Sequence, residues 1–312
     1  GNPFDIWYGT TQSFGSPGEG QEWINILGNV QGNIDALSYR LNGGVERSLS
    51  LGPDGKRLQE NGDFNIDISY SELDGSSTDD VVTIIASYAG GATVTQDITI
   101  EYEAGSDWAT NYRIDWATVT DLQDVVQVVD GTWTTDADGV HTDDAGYDRR
   151  LVIGDQGWDN YELNTTVTLN SQIEDPVTGG CFASGMLWDG HTNSRFGDIQ
   201  PLSGWEPGAA FFYTNGRFKS HSFDDWSDVL GVSTKLDLED GITYNVTVRV
   251  EQTNLYDRLY SLKIWEDGTA EPSGWTLQGA ETFGIDAAPA TGSIYLNAHH
   301  FDVTYGDVSV TE

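Results

Sequence analysis

In the segment YNVTVRVEQ (Tyr244–Gln252), polar and apolar side chains alternate without a break. Tyr244, Val246, Val248 and Val250 fall on one side; Asn245, Thr247, Arg249 and Glu251 fall on the other. A period of two is what a strand imposes, because successive side chains leave opposite faces of the pleat. The same short alternation recurs along the chain, punctuated by Gly, Asn and Asp, and helical periodicity is almost nowhere to be found. One apolar face and one polar face suit antiparallel sheets. The fold class is therefore all-β.

Roughly seven such runs precede residue 104: Ile6–Phe14, Glu22–Val30, Ala36–Leu41, Arg47–Leu51, Phe64–Tyr70, Val81–Tyr88 and Thr93–Tyr102. Turn signals separate them, among them Asn42-Gly43-Gly44 and Gly52-Pro53-Asp54-Gly55. About 100 residues with that many strands suit an immunoglobulin-like sandwich. A seam follows at Ala104-Gly105-Ser106-Asp107. Two Trp (Trp7 and Trp23) precede it and nine follow, so the aromatic groups that fill a large core or grip a sugar lie mostly beyond it. The remaining residues, 105–312, are enough for one large sandwich. Its strands are expected at Tyr161–Leu169, Phe182–Trp188, Ala209–Thr214, Tyr244–Gln252, Leu259–Trp265, Gly292–Ala298 and Phe301–Thr311. A length of 312 residues also favours two domains, since single cores stop growing near roughly 250. Residues 1–104 and 107–312, separated, are expected to unfold cooperatively on their own.

Charge excludes several partners. With 50 Asp+Glu against 14 Lys+Arg, the net charge is −36, which repels nucleic-acid phosphates and anionic membranes. No apolar run approaches the roughly 20 residues of a spanning helix. A single cysteine, Cys181, excludes a disulfide framework within the chain and a Cys-rich zinc site. So acidic a surface stays hydrated in high salt, where screening removes most self-repulsion. That points to a marine or salt-adapted bacterium, or to a secreted protein loaded with Ca²⁺. The only methionine is Met186 and no signal peptide is present. The expectation is a processed or trimmed chain, secreted or displayed at the cell surface, and open to further modules of a longer protein.

Two resemblances add to this reading. VVTIIASYAGGATVTQDITIEY (Val81–Tyr102) resembles the closing strands of bacterial Ig-like repeats. YELNTTVTLN, GMLWDGHTNSRFGDIQPLSGWEPGAAFFY, LYSLKIWEDGTAEPSGW and GSIYLNAHHFDVTYGDVSVTE resemble bacterial concanavalin A-like (laminin-G-type) jelly-roll domains. The implied architecture is an Ig-like β-sandwich at 1–104 followed by a larger concanavalin A-like jelly-roll β-sandwich at 105–312. That sandwich serves lectins, adhesion modules, glycoside hydrolases and polysaccharide lyases alike, so function rests on a site.

The densest constellation runs from Trp188 to Trp205 and includes Asp189, His191, Arg195, Asp198 and Gln200. Flat aromatic faces and planar hydrogen-bonding groups are what sugars require, and Arg195 suits a carboxylate or sulfate. Trp188, His191, Arg195, Gln200, Trp205, Tyr213 and His299 are therefore the candidate carbohydrate ligands; packing is the alternative role for both tryptophans. For catalysis, Asp189 and Asp198 form a candidate hydrolase pair. His191, Arg195 and Tyr213 supply the groups a lyase needs. The compact E-x-D-x-x-E strand of laminarinase-type enzymes is missing, as are the R-[ST]-E and Q-[IV]-H signatures of alginate lyases. His299 and His300 are expected on opposite faces of their strand. Asp136–Gly139 and Asp143-Asp144 are candidate Ca²⁺ loops, and the resemblance implicates Asp130 and Asp307 in a structural Ca²⁺ site. These features favour a binder of a polysaccharide or oligosaccharide over an enzyme, with a purely structural fragment as the third reading.

Overall fold

The computed structural model describes residues 1–75, 78–172, 179–192, 199–205, 208–222, 228–282 and 291–312, the side chain of Trp205 excepted. The first eight strands are β1 (Phe4–Ile6), β2 (Thr11–Phe14), β3 (Trp23–Val30), β4 (Ile34–Leu41), β5 (Arg47–Leu49), β6 (Asp63–Ser69), β7 (Asp80–Tyr88) and β8 (Thr93–Tyr102). They make two sheets, β1-β3-β6 and β2-β8-β7-β4-β5. Between them lies a core that includes Ile24, Ile26, Tyr39, Ile66, Ile68, Val82, Ile84 and Ile98. The run expected as one strand over Ile6–Phe14 is two. Gly9, at φ +85 with its N–H on the Ile6 carbonyl, turns the chain from one sheet to the other, a conformation open to glycine. There β2 pairs in parallel with β8.

The chain continues through β9 (Tyr112–Ile114), β10 (Gln127–Asp130), β11 (Trp133–Asp136), β12 (Gly139–Thr142), β13 (Arg149–Ile153) and β14 (Tyr161–Gln172). Next come β15 (Cys181–Trp188), β16 (His191–Thr192), β17 (Gly204–Trp205), β18 (Ala209–Thr214), β19 (Arg217–Ser222) and β20 (Val229–Val232). The last six are β21 (Thr243–Gln252), β22 (Asp257–Glu266), β23 (Leu277–Thr282), β24 (Ser293–His299), β25 (Phe301–Tyr305) and β26 (Val308–Thr311). Seven form the sheet β10-β13-β24-β15-β18-β19-β20. Facing it is β11-β12-β25-β14-β21-β22-β23, with β26 and then β9 added beside β14. The alternation read in YNVTVRVEQ holds here: Tyr244, Val246, Val248 and Val250 all enter the core between these sheets. The closing run expected over Phe301–Thr311 breaks at Gly306-Asp307 into β25 and β26, both paired with β14.

The two sandwiches meet across a buried seam. Leu27 of β3 is 2 % exposed and belongs to the second core, against which Trp7 and Tyr8 also pack. The Tyr8 hydroxyl donates to the Gly131 carbonyl at 2.8 Å and accepts from the Trp133 N–H at 3.0 Å.

Candidate functional site

One face of the seven-stranded sheet fills the second core; the register decides what the other face carries. Across one row stand Asp130, Arg150, Asn297, Ala183, Phe212, Lys219 and Val232. The neighbouring row runs Val152, Tyr295, Gly185, Ala210 and His221. At the near end Cys181 faces His299. This outer face is polar, aromatic and charged, and parts of it are covered.

Trp188 covers the middle. Alternation along β15 turns Phe182 and Met186 inward, and Trp188 would follow. A bulge intervenes, with Leu187 in the left-handed region at φ +57, so Leu187 joins the core and Trp188 turns out. There it is 0 % exposed. The Arg150 guanidinium lies against both its ring and that of Tyr295, 4.9 and 4.6 Å from the centroids. Arg150 also donates to Asn297 Oδ1 at 3.2 Å. His191 meets the Gly204 carbonyl through Nδ1 at 3.1 Å and Arg150 through Nε2, also at 3.1 Å. The same Nε2 lies 3.4 Å from Asp130 Oδ2. Burial, helped by the charges of Arg57 and Arg150, pushes the His191 pKa down against the pull of Asp130.

The first sandwich covers one edge. Arg57 is 4 % exposed and donates from Nε to Asp130 Oδ1 at 2.7 Å, and from one terminal nitrogen to Asp67 at 3.0 Å and to the Leu202 carbonyl at 2.7 Å. Asn65 adds a bond to Asp130 at 3.1 Å. Burial alone would raise the Asp130 pKa, yet the Arg57 charge, the His191 hydrogen bond and Arg150 hold it well below the usual carboxylate range. Gln200 is spent in the same seam: its Nε2 donates to the Tyr39 hydroxyl at 3.1 Å and its Oε1 accepts from the Asp67 N–H at 2.7 Å.

Of the sequence-derived candidates, His191 and Gln200 thus sit in the seam between the sandwiches, while Trp188 packs on the outer face of its own sheet, and the buried indole offers no ring face to a sugar in this arrangement. Tyr213 is a core residue whose hydroxyl bonds the Leu236 carbonyl and the Leu238 N–H. Arg195 and Asp198 lie outside the described residues, as does the Trp205 side chain. The Asp189 side chain sits at the seam, where burial and then the charge of Glu22 push its pKa up to about 7. Its unfolded value of 3.8 lies lower, so in a chelator-treated sample stability falls as pH rises from about 4 through about 7. Asp189→Asn is expected to flatten that part of a plot of Tm against pH.

Asp130 and Asp307 do not form a metal site together. Asp130 is neutralised by Arg57, while Asp307 stands on the other sheet's β25–β26 turn and accepts from the Trp116 N–H at 3.1 Å. Asp136 likewise accepts the Asp138 N–H within its turn, and Asp143 accepts the Thr134 hydroxyl. Among the described residues, no three His, Cys, Asp or Glu side chains are grouped to hold a metal ion.

The part of the outer face at the start of β13 and the end of β24 is slightly open, the side chains of Asp148 and His299 being 14 % and 10 % exposed. His299 Nδ1 is 2.9 Å from Asp148 Oδ1, and the Tyr147 ring meets His299 and His300 edge-on at 4.6 and 5.8 Å. His300, expected on the opposite face from His299, is not there. Its φ of +54 leaves the strand conformation, which breaks the alternation and brings the two imidazoles to 4.5 Å. Asp148 is also left-handed, at φ +36. Burial works against its charge, but the His299 hydrogen bond and Arg150 lower its pKa. Gln59 of the first sandwich accepts the Tyr147 N–H and an Arg149 N–H, both at 2.8 Å, so the corner is built by both sandwiches. Among its four side chains the sequence had singled out His299 as a ligand. Tyr147 and Asp148 went unnoticed beside Arg149-Arg150, which reads as the start of a strand.

No protein-family model matches the chain, and no curated protein matches it either. Solved structures do. The metal-free carbohydrate recognition domain of Emp46p aligns at 10 % identity and a TM-score of 0.43, covering 65 % of this chain and 97 % of that one. The VIP36 exoplasmic/lumenal domain in its Ca²⁺/Man3GlcNAc-bound form aligns at 9 % identity and 0.42, covering 64 % and 90 %. Among the described residues, no helix is long and apolar enough to cross a membrane.

Proposed function

We propose that this chain is an extracellular carbohydrate-binding protein whose larger sandwich takes a polysaccharide at the Tyr147–Asp148–His299–His300 corner. The observation that carries this reading is the corner itself. An aromatic ring, two imidazoles and a carboxylate are gathered on a sheet face, partly open, where sugar C–H surfaces and hydroxyls need stacking and planar hydrogen-bonding partners. Residues 1–104 act as an Ig-like module that ends near residue 104 and braces the corner through Gln59. The arrangement of its two sheets, with β2 parallel to β8, supports that assignment. The net charge of −36 favours neutral polymers unless a local cation intervenes.

The test is retardation in gels containing neutral or uronate polysaccharides, followed by calorimetry. Tyr147→Ala and His299→Ala are each expected to weaken binding about tenfold, the equivalent of about 1.4 kcal/mol, with Tm nearly unchanged in Tyr147→Ala and lowered in His299→Ala, which strands Asp148. Undiminished retention in both variants would move the site elsewhere.

The Asp148–His299 hydrogen bond favours a second reading, polysaccharide cleavage. A carboxylate beside an imidazole is a pairing that proton-transfer chemistry uses. New reducing ends or unsaturated uronates that vanish in Asp148→Asn, with binding retained, would establish an enzyme.

A further inference from the structure

Between the sandwiches, the segment before β3 is laid against the turn after β15. The Glu22 N–H donates to the Asp189 carbonyl at 3.0 Å, and Trp23 Nε1 to the His191 carbonyl at 2.7 Å. Gln21, 1 % exposed, is fixed within this seam by its neighbours. Asn25 commits its amide nitrogen to Asn65 and Asp67, at 3.0 and 2.6 Å. Only the Asn25 oxygen is left to face Gln21, so Gln21 must present Nε2 to it, at 2.5 Å. The glutamine oxygen is thereby aimed the other way, to 3.2 Å from where a Cβ on Gly190 would stand. Among the described residues no donor meets it, and none meets the buried Asp189 Oδ1 in the residue before Gly190. Two buried acceptors without donors carry a desolvation cost that a cation would remove, and the negative charge of Glu22, the residue after Gln21, acts on Asp189. Gly190 keeps the turn close: its φ is +111, and a Cβ would fall 2.9 Å from Trp23 Cδ1.

We infer that this seam is a Ca²⁺ site, with Asp189 Oδ1 and Gln21 Oε1 as ligands and Glu22 as the second carboxylate. Two carboxylates favour a divalent ion. An amide oxygen in an irregular set suits Ca²⁺, which tolerates varied geometry, better than Mg²⁺, which demands an octahedron and keeps its water. The ion would staple the first sandwich to the turn that carries Trp188 and His191, and so hold the seam beside the outer face of the seven-stranded sheet.

Calorimetry of the full chain with CaCl₂ tests this, in about 0.5 M NaCl so that diffuse attraction to the acidic surface is screened. A single saturable site is expected. Asp189→Asn should weaken it at least tenfold, and Gln21→Glu, which adds a carboxylate, should tighten it several-fold. Terbium in place of calcium should luminesce on indole excitation, and Trp23→Phe should dim that emission while leaving the calcium heat intact. Calcium should also raise Tm in wild type and not in Asp189→Asn. Equal calcium binding by wild type and Asp189→Asn, or an equal response to MgCl₂, overturns the assignment. So does a wild-type titration with no saturable site.

Discussion

Replacing Arg57 by alanine is expected to destabilise the protein by about 3–5 kcal/mol, the usual cost of orphaning buried charge, read as a lower urea midpoint at unchanged slope. Arg57 reaches Asp67 and Asp130 at 3.0 and 2.7 Å, and the two carboxylates are 1 % and 0 % exposed. Without the guanidinium, both are left in a region water does not reach. The loss comes mainly from those stranded carboxylates, since a buried ion pair gains little over an apolar substitute. Arg57→Met combined with Asp67→Asn and Asp130→Asn should therefore be less damaging than Arg57→Ala alone. A single variant within about 1 kcal/mol of wild type, as for an exposed pair, would show the seam to be wet. Dividing the chain after residue 104 removes Arg57 from Asp130, and with it Leu27, Trp7 and Tyr8 from the second core. The separated larger piece should then melt well below the whole chain, where the sequence suggested an independent unit.

Trp188→Ala should be comparably severe, about 3–5 kcal/mol for a fully buried indole. The ring is in contact with Arg150, with Tyr295 (centroids 5.3 Å apart) and with His191 (5.2 Å). Its removal opens a cavity against a buried guanidinium and loosens the segment that docks on the first sandwich. A sugar platform behaves differently: binding falls and stability hardly moves. Thermal melts and gel retardation of the same variant separate the two roles. Intact stability with lost binding would return Trp188 to the ligand-binding list.

These expectations differ from the reading of the Trp188–Trp205 loop as a sugar-binding surface, and the reason lies in what periodicity reports. Alternation assigns each side chain to a face of its own sheet. It is silent on what covers that face. His191 and Gln200 look like ligands in the sequence because polar groups in a loop usually meet water, but here they meet Asp130 and Arg150, or Tyr39 and Asp67, from distant parts of the chain. Local backbone departures hid the rest. Leu187 at φ +57 reverses the phase of Trp188, and His300 at φ +54 brings two adjacent imidazoles to one side. Neither residue is a glycine, so composition carried no signal of a left-handed turn.

The period-two alternation, the turn residues between runs and the surplus of acid determined an all-β, highly charged chain with two sandwich-sized stretches. Those properties depend on nearest neighbours and on composition, and both are written locally. Tertiary structure alone decided which aromatics are buried, that Arg57 and Asp130 are partners, that Gln21 and Asp189 turn unanswered oxygens toward one seam, and that Tyr147 joins Asp148 and the two histidines. Each of these requires segments far apart in sequence to be brought into contact. The free energy that does so comes from burying both cores at once, which no local pattern encodes.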